Sequence, residues 1–398
     1  MKSKLLMTIS AASLAAAFAM TNQSAAQVSS ASEGQESKHL RYTVTDLGTL
    51  KGGTFSEPFH MNRNGVVSGV AILPNNSQHA VLWVRKAVAD LGTLGGMNST
   101  AFGDNARDQA TGEAETPDPD PNDEDFCGFG SHAICKPFVW ERGVMTALPT
   151  LGGNNGGGNQ ITDAGAVLGF AENTTPDLGC PAPQLYEFKP VVWEHGEIKE
   201  LPTVGGDHEG VATSGNDQGQ IVGASGNCAA FNGNSLFNLQ AVHPLLWQNG
   251  TVTDLGTLGD SSGMGGGNLA WDINNRGEVV GLSDLVFNGR ETFHGFIWNK
   301  ATRMRDLGTL DGDFGSVANA INDRGDVVGL SVDSSFNPRA FLWRKGVMTD
   351  LNTLIPVDSK LSLMLACSIN GRREITGLAM TSTGELHAYR ATPIDLDK

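Results

Sequence analysis

Beyond the run Leu5–Met20, no stretch of this 398-residue chain approaches the roughly 20 consecutive apolar residues that a membrane helix needs. A polytopic helical membrane protein is therefore not expected. Basic residues are scarce as well, 27 against 43 acidic ones, for a formal net charge of −16. A nucleic-acid partner needs a basic face to neutralise phosphates, and this composition offers none. The five cysteines include no Cys-x-x-Cys pair, which argues against a zinc ribbon or a dithiol redox centre. No His-Glu-x-x-His and no phosphate-binding loop occurs, so neither zincin nor nucleotide chemistry is indicated.

What the chain has in excess is glycine, 51 of 398 residues, about twice the usual share of roughly 7%. Few charges and many glycines describe short strands joined by tight turns. The N-terminus reads differently. A basic start (Lys2, Lys4), the apolar run and small residues at Ser24 and Ala26 have the pattern of a secretory signal spanning 1–26, cleaved after Ala26. No cysteine follows to accept a lipid. The expected product is a secreted protein, extracellular or periplasmic, with a flexible segment at 27–40, one domain at 41–393 and a short tail at 394–398.

Internal repeats set the architecture. "DLGTL" or a relative begins at Asp46, Asp90, Ala147, Glu200, Asp254, Asp306 and Asp350, at intervals of 44 to 57 residues. The unit "AINDRGDVVGLSVDSSFNPRAFLWRKGVMTDLNTL" contains four short β-branched or aromatic runs separated by turn residues, which predicts strands a to d. Asn322 to Gly325 and its equivalents at Asn62, Asn216 and Asn274 predict type I turns between a and b. "WERG", "WEHG", "WQNG" and "WRKG" predict three-residue c–d hairpins. A glycine holds one strand-b position in every unit (Gly69, Gly112, Gly169, Gly223, Gly281, Gly329, Gly377), which predicts a bulge or a close backbone approach.

Seven such meanders cannot bury their apolar faces singly. Radial packing into an all-β, seven-bladed β-propeller covers both faces of each sheet, where a linear β-solenoid would use shorter repeats. The first "DLGTL" has no strand c before it, and the last unit ends at "ELHAYRATP" with no strand d after it. The expectation is that Tyr42 to Leu47 pairs with Leu386 to Ala391 and closes the ring.

The motifs "DLGTLGG", "IN-x-x-G-x-V-V-G" and "HA-x-LW" resemble those of the extracellular HAF-repeat family, over about Thr43 to Ala391. The resemblance implies an exported, propeller-like protein and implies no particular reaction. Thr162 and Ala147 in unit three, and Ala391 at the Trp position of unit seven, depart from the pattern.

The recurring basic position is His79, Lys136, Lys189, His243, His294, Arg339 and His387. Interchange of His with Lys and Arg indicates a structural charge, not a ligand or a base. Acids eleven or twelve positions later are the expected cross-strand partners. The Trp column (Trp83, Trp140, Trp193, Trp247, Trp298, Trp343) reads as packing between blades.

Function is expected where the units differ. From the strand-b glycine to the basic residue, units two, three and four span 20 to 24 positions against 10 to 13 elsewhere. These long b–c loops hold Cys127, Cys135, Cys180 and Cys228. In an exported chain disulfides are expected; spacing alone leaves three pairings open, of which Cys127 with Cys135 and Cys180 with Cys228 is favoured. Cys367 falls on a strand a and reads as a buried thiol. Asp118, Asp120, Asn122, Asp123 and Asp125 in the proline-stiffened unit-two loop partly resemble a calcium loop, without its turn glycine and distal Glu; calcium is the one cofactor suggested. The off-column residues Trp271, Asp272, His60 and His208 are the ligand-face candidates, and catalytic residues are not identified. The sequence reads as a monomeric secreted binding or interaction module for an extracellular carbohydrate or protein. The alternative is a carbohydrate-active hydrolase or lyase whose carboxylates are assembled from different blades.

Overall fold

The structure, a computed structural model, describes residues 40–85, 87–180, 182–228, 239–259 and 267–394. The expected signal, nearly all of the segment after it and most of the C-terminal tail lie outside the described residues. Among the described residues no helix is long and apolar enough to cross a membrane.

Seven four-stranded antiparallel sheets, each a meander in the order a-b-c-d, account for nearly all of the fold. The innermost strands are Ser56–Met61, Ser99–Asp104, Gly156–Ile161, Glu209–Gly215, Asn268–Ile273, Gly315–Ile321 and Leu361–Ile369. Each touches the next, and the seventh touches the first, so the sheets form a closed ring. The protein is a seven-bladed β-propeller.

The seventh blade takes its outer strand from the other end of the chain. Arg41–Asp46 pairs with Leu386–Ile394, Tyr42 opposite Pro393 and Asp46 opposite Tyr389. Closure is as expected, although the pairing sits further along the C-terminal strand than Leu386 to Ala391. Tyr42 and Tyr389 are completely buried in the same core cluster as Leu342, Leu351 and Leu363. These two rings occupy the region where Ala391 replaces the recurring Trp.

Every inner strand carries a bulge at one position, held by Phe59, Phe102, Asn159, Thr213, Trp271, Asn319 and Cys367. The bulge explains the invariant strand-b glycine. A Cβ on Gly329 would sit 1.9 Å from the Val317 carbonyl oxygen, and one on Gly112 1.8 Å from that of Thr100. The close approach comes from strand a of the same blade, not from the next sheet.

The c–d connections differ from expectation. Glu141 pairs with Val144 and Glu194 with Glu197, leaving two-residue loops, and both loop residues have positive φ (Arg142 52°, Gly143 84°; His195 55°, Gly196 82°). These are type I′ turns, whose twist matches that of the flanking strands.

Blades are joined by side chains. Trp193 and Trp247 donate Nε1–H to the Pro149 and Pro202 carbonyls of the preceding unit, both at 2.7 Å. The turn asparagines form a second set of links. Asn62 donates to the Asn105 carbonyl, Asn105 to Thr162, Asn216 to Asn274, Asn274 to Asn322 and Asn322 to Asn370, over 2.8 to 3.2 Å. Thr162 is too short to continue it and uses its hydroxyl within its own turn.

The basic column is structural, with a mixed set of partners. His79–Asp90, His294–Asp306, Arg339–Asp350 and His387–Asp46 pair as expected. His243 instead meets Asp207 and Lys189 meets Glu187, acids outside the expected column. Asp90 lies opposite Val81, two residues from His79, so these pairs are diagonal rather than directly facing.

Candidate functional site

His60, Trp271 and Asp272 all lie on inner strands near the a–b turns, at one end of the central axis. There the residue after the bulge reaches across to a neighbouring blade in five of the seven units, the exceptions being Gly103 and Ala320. His60 Nδ1 lies 2.9 Å from Asp104 Oδ1. Asp272 accepts from Ser214 Oγ at 2.7 Å and from the amides of Ile273 and Ile321, both at 2.9 Å, which ties blades four, five and six. Gln160 Oε1 accepts from the Gly215 amide at 2.6 Å, and the Met61 amide donates to Ser368 Oγ at 3.2 Å.

Burial raises the Asp272 carboxyl above the usual range, with its hydrogen bonds and His60 opposing. Burial disfavours the His60 imidazolium, but Asp104, Asp272 and Asp163 outweigh it and hold its pKa above the ordinary value. Asp272 has both oxygens engaged by protein donors. The arrangement is a belt that fastens blades together, with Asp272 held by donors from three of them. Thr213, Asn159 and Asn319 at the bulges do the same work, donating to carbonyls of Ala270, Ala212 and Ala366.

His208 is elsewhere. It lies on the opposite face, where the b–c and d–a loops emerge, and its Nδ1 meets Glu187 Oε1 at 3.1 Å. Glu187 also binds Lys189 Nζ at 2.9 Å and Asn173 Nδ2 at 3.0 Å. The four candidates therefore divide between two ends of the molecule.

On the loop face the insertions of blades two and three are fastened together, while residues 229–238 of the blade-four insertion lie outside the described residues. Cys127–Cys135 staples the blade-two loop, and Cys180–Cys228 joins blade three to blade four. Phe126 of blade two packs between Phe170 and Phe188 of blade three, at 5.7 and 6.2 Å. Glu124 reaches from blade two to accept the Leu185 amide at 2.6 Å. Asn155 Nδ2 is shared among Asp120, Glu124 and Glu172, at 2.9 to 3.2 Å.

Buried acids recur here. Glu115 accepts from the Met97 and Asn98 amides of its d–a loop, and Glu172 from those of Asn154 and Asn155, in equivalent geometry. Burial pushes the Glu113 carboxyl up to about 8, with Glu115 and Asp125 adding to it. Burial carries Glu209 to about 9 against its bond from the Phe188 amide. Burial and the neighbouring Glu124 also raise Glu172. These acids escaped the sequence reading, although one signal was present. The third position after the strand-b glycine is Glu115, Glu172 or Asp284 in blades two, three and five, where the other units have Ile72, Gly226, Val332 or Met380.

The possible calcium residues do not gather around a common point. Asp120 Oδ1 accepts the Asn122 amide at 2.7 Å, Asp125 grips the Gly130 amide at 2.9 Å, and the Asp123 carbonyl meets His132 Nδ1 at 2.7 Å. Asp118 is exposed beyond them. The two groupings of metal-type side chains among the described residues both rely on Cys127, Cys135, Cys180 and Cys228. Those sulfurs are in disulfides and are not thiolate ligands. Gly259, Ser261 and Gly263 spell Gly-x-Ser-x-Gly, but the segment joins two strands and residues 260–266 lie outside the described residues. A nucleophile elbow opens a helix.

Exposed apolar side chains distinguish the faces. Val84, Val144 and Val347 flank the c–d turns, scattered singly over the outer rim. Met97, Leu178, Val286, Phe287, Phe336 and Val357 instead stand on loop-face segments at positions that differ from unit to unit.

No family model matches the chain, and no curated protein matches it. Among solved structures it is similar to the uncomplexed acylaminoacyl peptidase of Pyrococcus horikoshii, at 13% identity and a TM-score of 0.47 over 89% of this chain and 54% of the peptidase. It is also similar to the sialidase of Trypanosoma rangeli, at 10% identity and 0.39 over 88% of this chain and 58% of that one. A third similarity is to the Aleuria aurantia lectin, at 8% and 0.35 over 77% of this chain and 100% of the lectin. The chain thus spans little more than half of the peptidase and of the sialidase. At these scores its chemistry must be argued from its own residues.

Proposed function

We propose that the chain is an exported binding module of the HAF-repeat kind, whose ligand face is the loop side of the propeller. The face includes the insertions of blades two to four and continues over the b–c tips of blades five and six. The observation that carries this reading is the set of exposed apolar side chains at non-repeating positions on that side. Scaffold needs are the same in every unit, so an apolar side chain held in water at one unit alone has no packing reason to be there. Disulfides and buried carboxyl networks hold the loops in place before any ligand arrives, which lowers the ordering cost of binding. The same disulfides support an oxidising compartment, and the basic and apolar N-terminus supports export.

The test is a screen of immobilised protein against an array of glycans and extracellular polymers. A variant with Met97, Leu178, Phe287 and Phe336 changed to Ser should lose the ligand. A variant with Val84, Val144 and Val347 changed to Ser should keep it. Equal binding by both variants would place recognition elsewhere and end this reading.

A further inference from the structure

The b–c tip of blade six contains an anomaly. Thirteen non-glycine residues among those described have positive φ, and Phe336, at 61°, is the one hydrophobic residue in that set. The left-handed region is a genuine outlier for a bulky side chain and common for Asn or Gly. Equivalent tips show what the turn prefers. Blade one has Asn76 at φ 67° and blade seven has Gly384 at φ 86°, each with its amide bonded to the carbonyl three residues earlier, as in Phe336 to Asp333. Blade six uses the same turn and places a phenyl ring at the strained corner.

The ring is positioned, not loose. It packs edge-on against Phe314 at 6.1 Å, and Phe314 against Phe293 at 6.4 Å, a ladder that joins the core cluster around Leu330 and Leu365. Asp333 fixes the turn by accepting from the amides of Ser335 and Asn337 and from Asn337 Nδ2, at 2.8 to 3.0 Å. Phe336 remains 40% exposed. Its exposed neighbours along the turn are Ser334, Ser335 and Asn337.

Size and surroundings identify the occupant. A ring of this exposure offers on the order of 100 Å² of apolar surface. A stable protein interface buries about 800 Å² per partner. The patch alone is far smaller than a protein interface, and it matches the flat C–H face of a single sugar ring. The polar rim suits hydroxyl groups. The excess of 43 acidic over 27 basic residues opposes an anionic glycan. Resting on the loop-face reading above, we infer that the blade-six tip is a stacking site for a neutral saccharide ring, with Phe336 as its platform and Ser335 and Asn337 on its rim. Backbone strain retained at a single unit is the kind of outlier that accompanies function.

Saturation-transfer NMR with a panel of neutral disaccharides of glucose, galactose, mannose and N-acetylglucosamine tests this on the intact protein. Ring C–H protons of a bound sugar should receive saturation. Phe336→Asn should weaken that binding at least tenfold while leaving the melting temperature equal or higher, because Asn suits the turn. Val347→Asn, beside a c–d turn, should leave binding unchanged. The inference is overturned if no disaccharide binds, or if Phe336→Asn leaves saccharide binding intact. It is also overturned if Phe336→Asn lowers the melting temperature by several degrees, since the ring would then be a core element. If the four-residue serine variant loses its screened ligand while Phe336→Asn keeps it, the loop-face reading survives and the saccharide site does not.

Discussion

The imidazole of His387 lies 2.8 Å from the carboxylate of Asp46, although 341 positions separate them in sequence. The same kind of pair links His79 to Asp90 within one hairpin. The closing blade is thus built by the rules of the others, with a chain break where they have a turn. Deleting residues 40 to 47 removes a strand and the buried Tyr42. The expected loss is several kcal/mol and a fall in melting temperature on the order of 10 °C. A melting temperature within two or three degrees of the parent's, roughly the effect of one surface contact, would refute closure by this strand.

The run of turn-asparagine bonds is interrupted at Thr162, and this interruption can be repaired. Thr162→Asn should supply the missing donor toward the Asn216 carbonyl while keeping the turn's own bonds. A gain of about 0.5–1.5 kcal/mol is expected for a new hydrogen bond of this type. Chemical denaturation would show it as a higher midpoint at unchanged slope. A lower midpoint would mean that the hydroxyl of Thr162 contributes something the amide cannot.

Stability should decline with rising pH because of the loop-face acids. The Glu113 and Glu209 carboxyls are raised from 4.5 to about 8 and about 9. The folded state therefore holds their protons more tightly than the unfolded state does. Their contribution is fully present below about pH 4.5 and is lost as pH rises through the folded values. Glu209→Gln keeps an oxygen for the Phe188 amide and cannot ionise. Its melting temperature should fall less than the parent's between pH 5 and pH 9.5, and exceed it at the upper end. Parallel curves for the two proteins would contradict the assignment.

The two disulfides should differ in effect. They close segments with sequence separations of 48 and 8. Chain entropy makes removal of Cys180–Cys228 cost roughly 4 kcal/mol and removal of Cys127–Cys135 roughly 2.5 kcal/mol. Paired Cys→Ser variants compared by denaturant unfolding would check the order. The reverse order would indicate that the blade-two staple holds more than its own loop.

The fold was legible because each unit solves one packing problem with one set of residues. "DLGTL", the Trp and the strand-b glycine mark the same places seven times, and an unmatched half-unit at each end predicts a circle. Where the sequence misled, an acid other than the one across the hairpin took the basic residue. Lys189 meets Glu187 two positions before it on the same strand, and His243 meets Asp207 of the preceding d–a loop. Arg142 and His195 take left-handed conformations that a short turn demands and that their identities do not advertise. His60 and Asp272 looked chemical because they broke the columns. They break them to bind neighbouring blades, a role fixed by three-dimensional adjacency alone. Phe336 could have been noticed by aligning it with Asn76 and Gly384, but the meaning of the substitution depends on a backbone angle.

The belt of side chains around the axis also decides how the molecule comes apart. In an open stack of repeats, an end unit can melt while the rest persists. Here no unit is an end, and each is tied to a neighbour by groups such as Asp272 that would be left buried and unpaired if one blade departed. Loss of any blade strips partners from the next, so thermal unfolding should run as a single all-or-none event despite the chain's length.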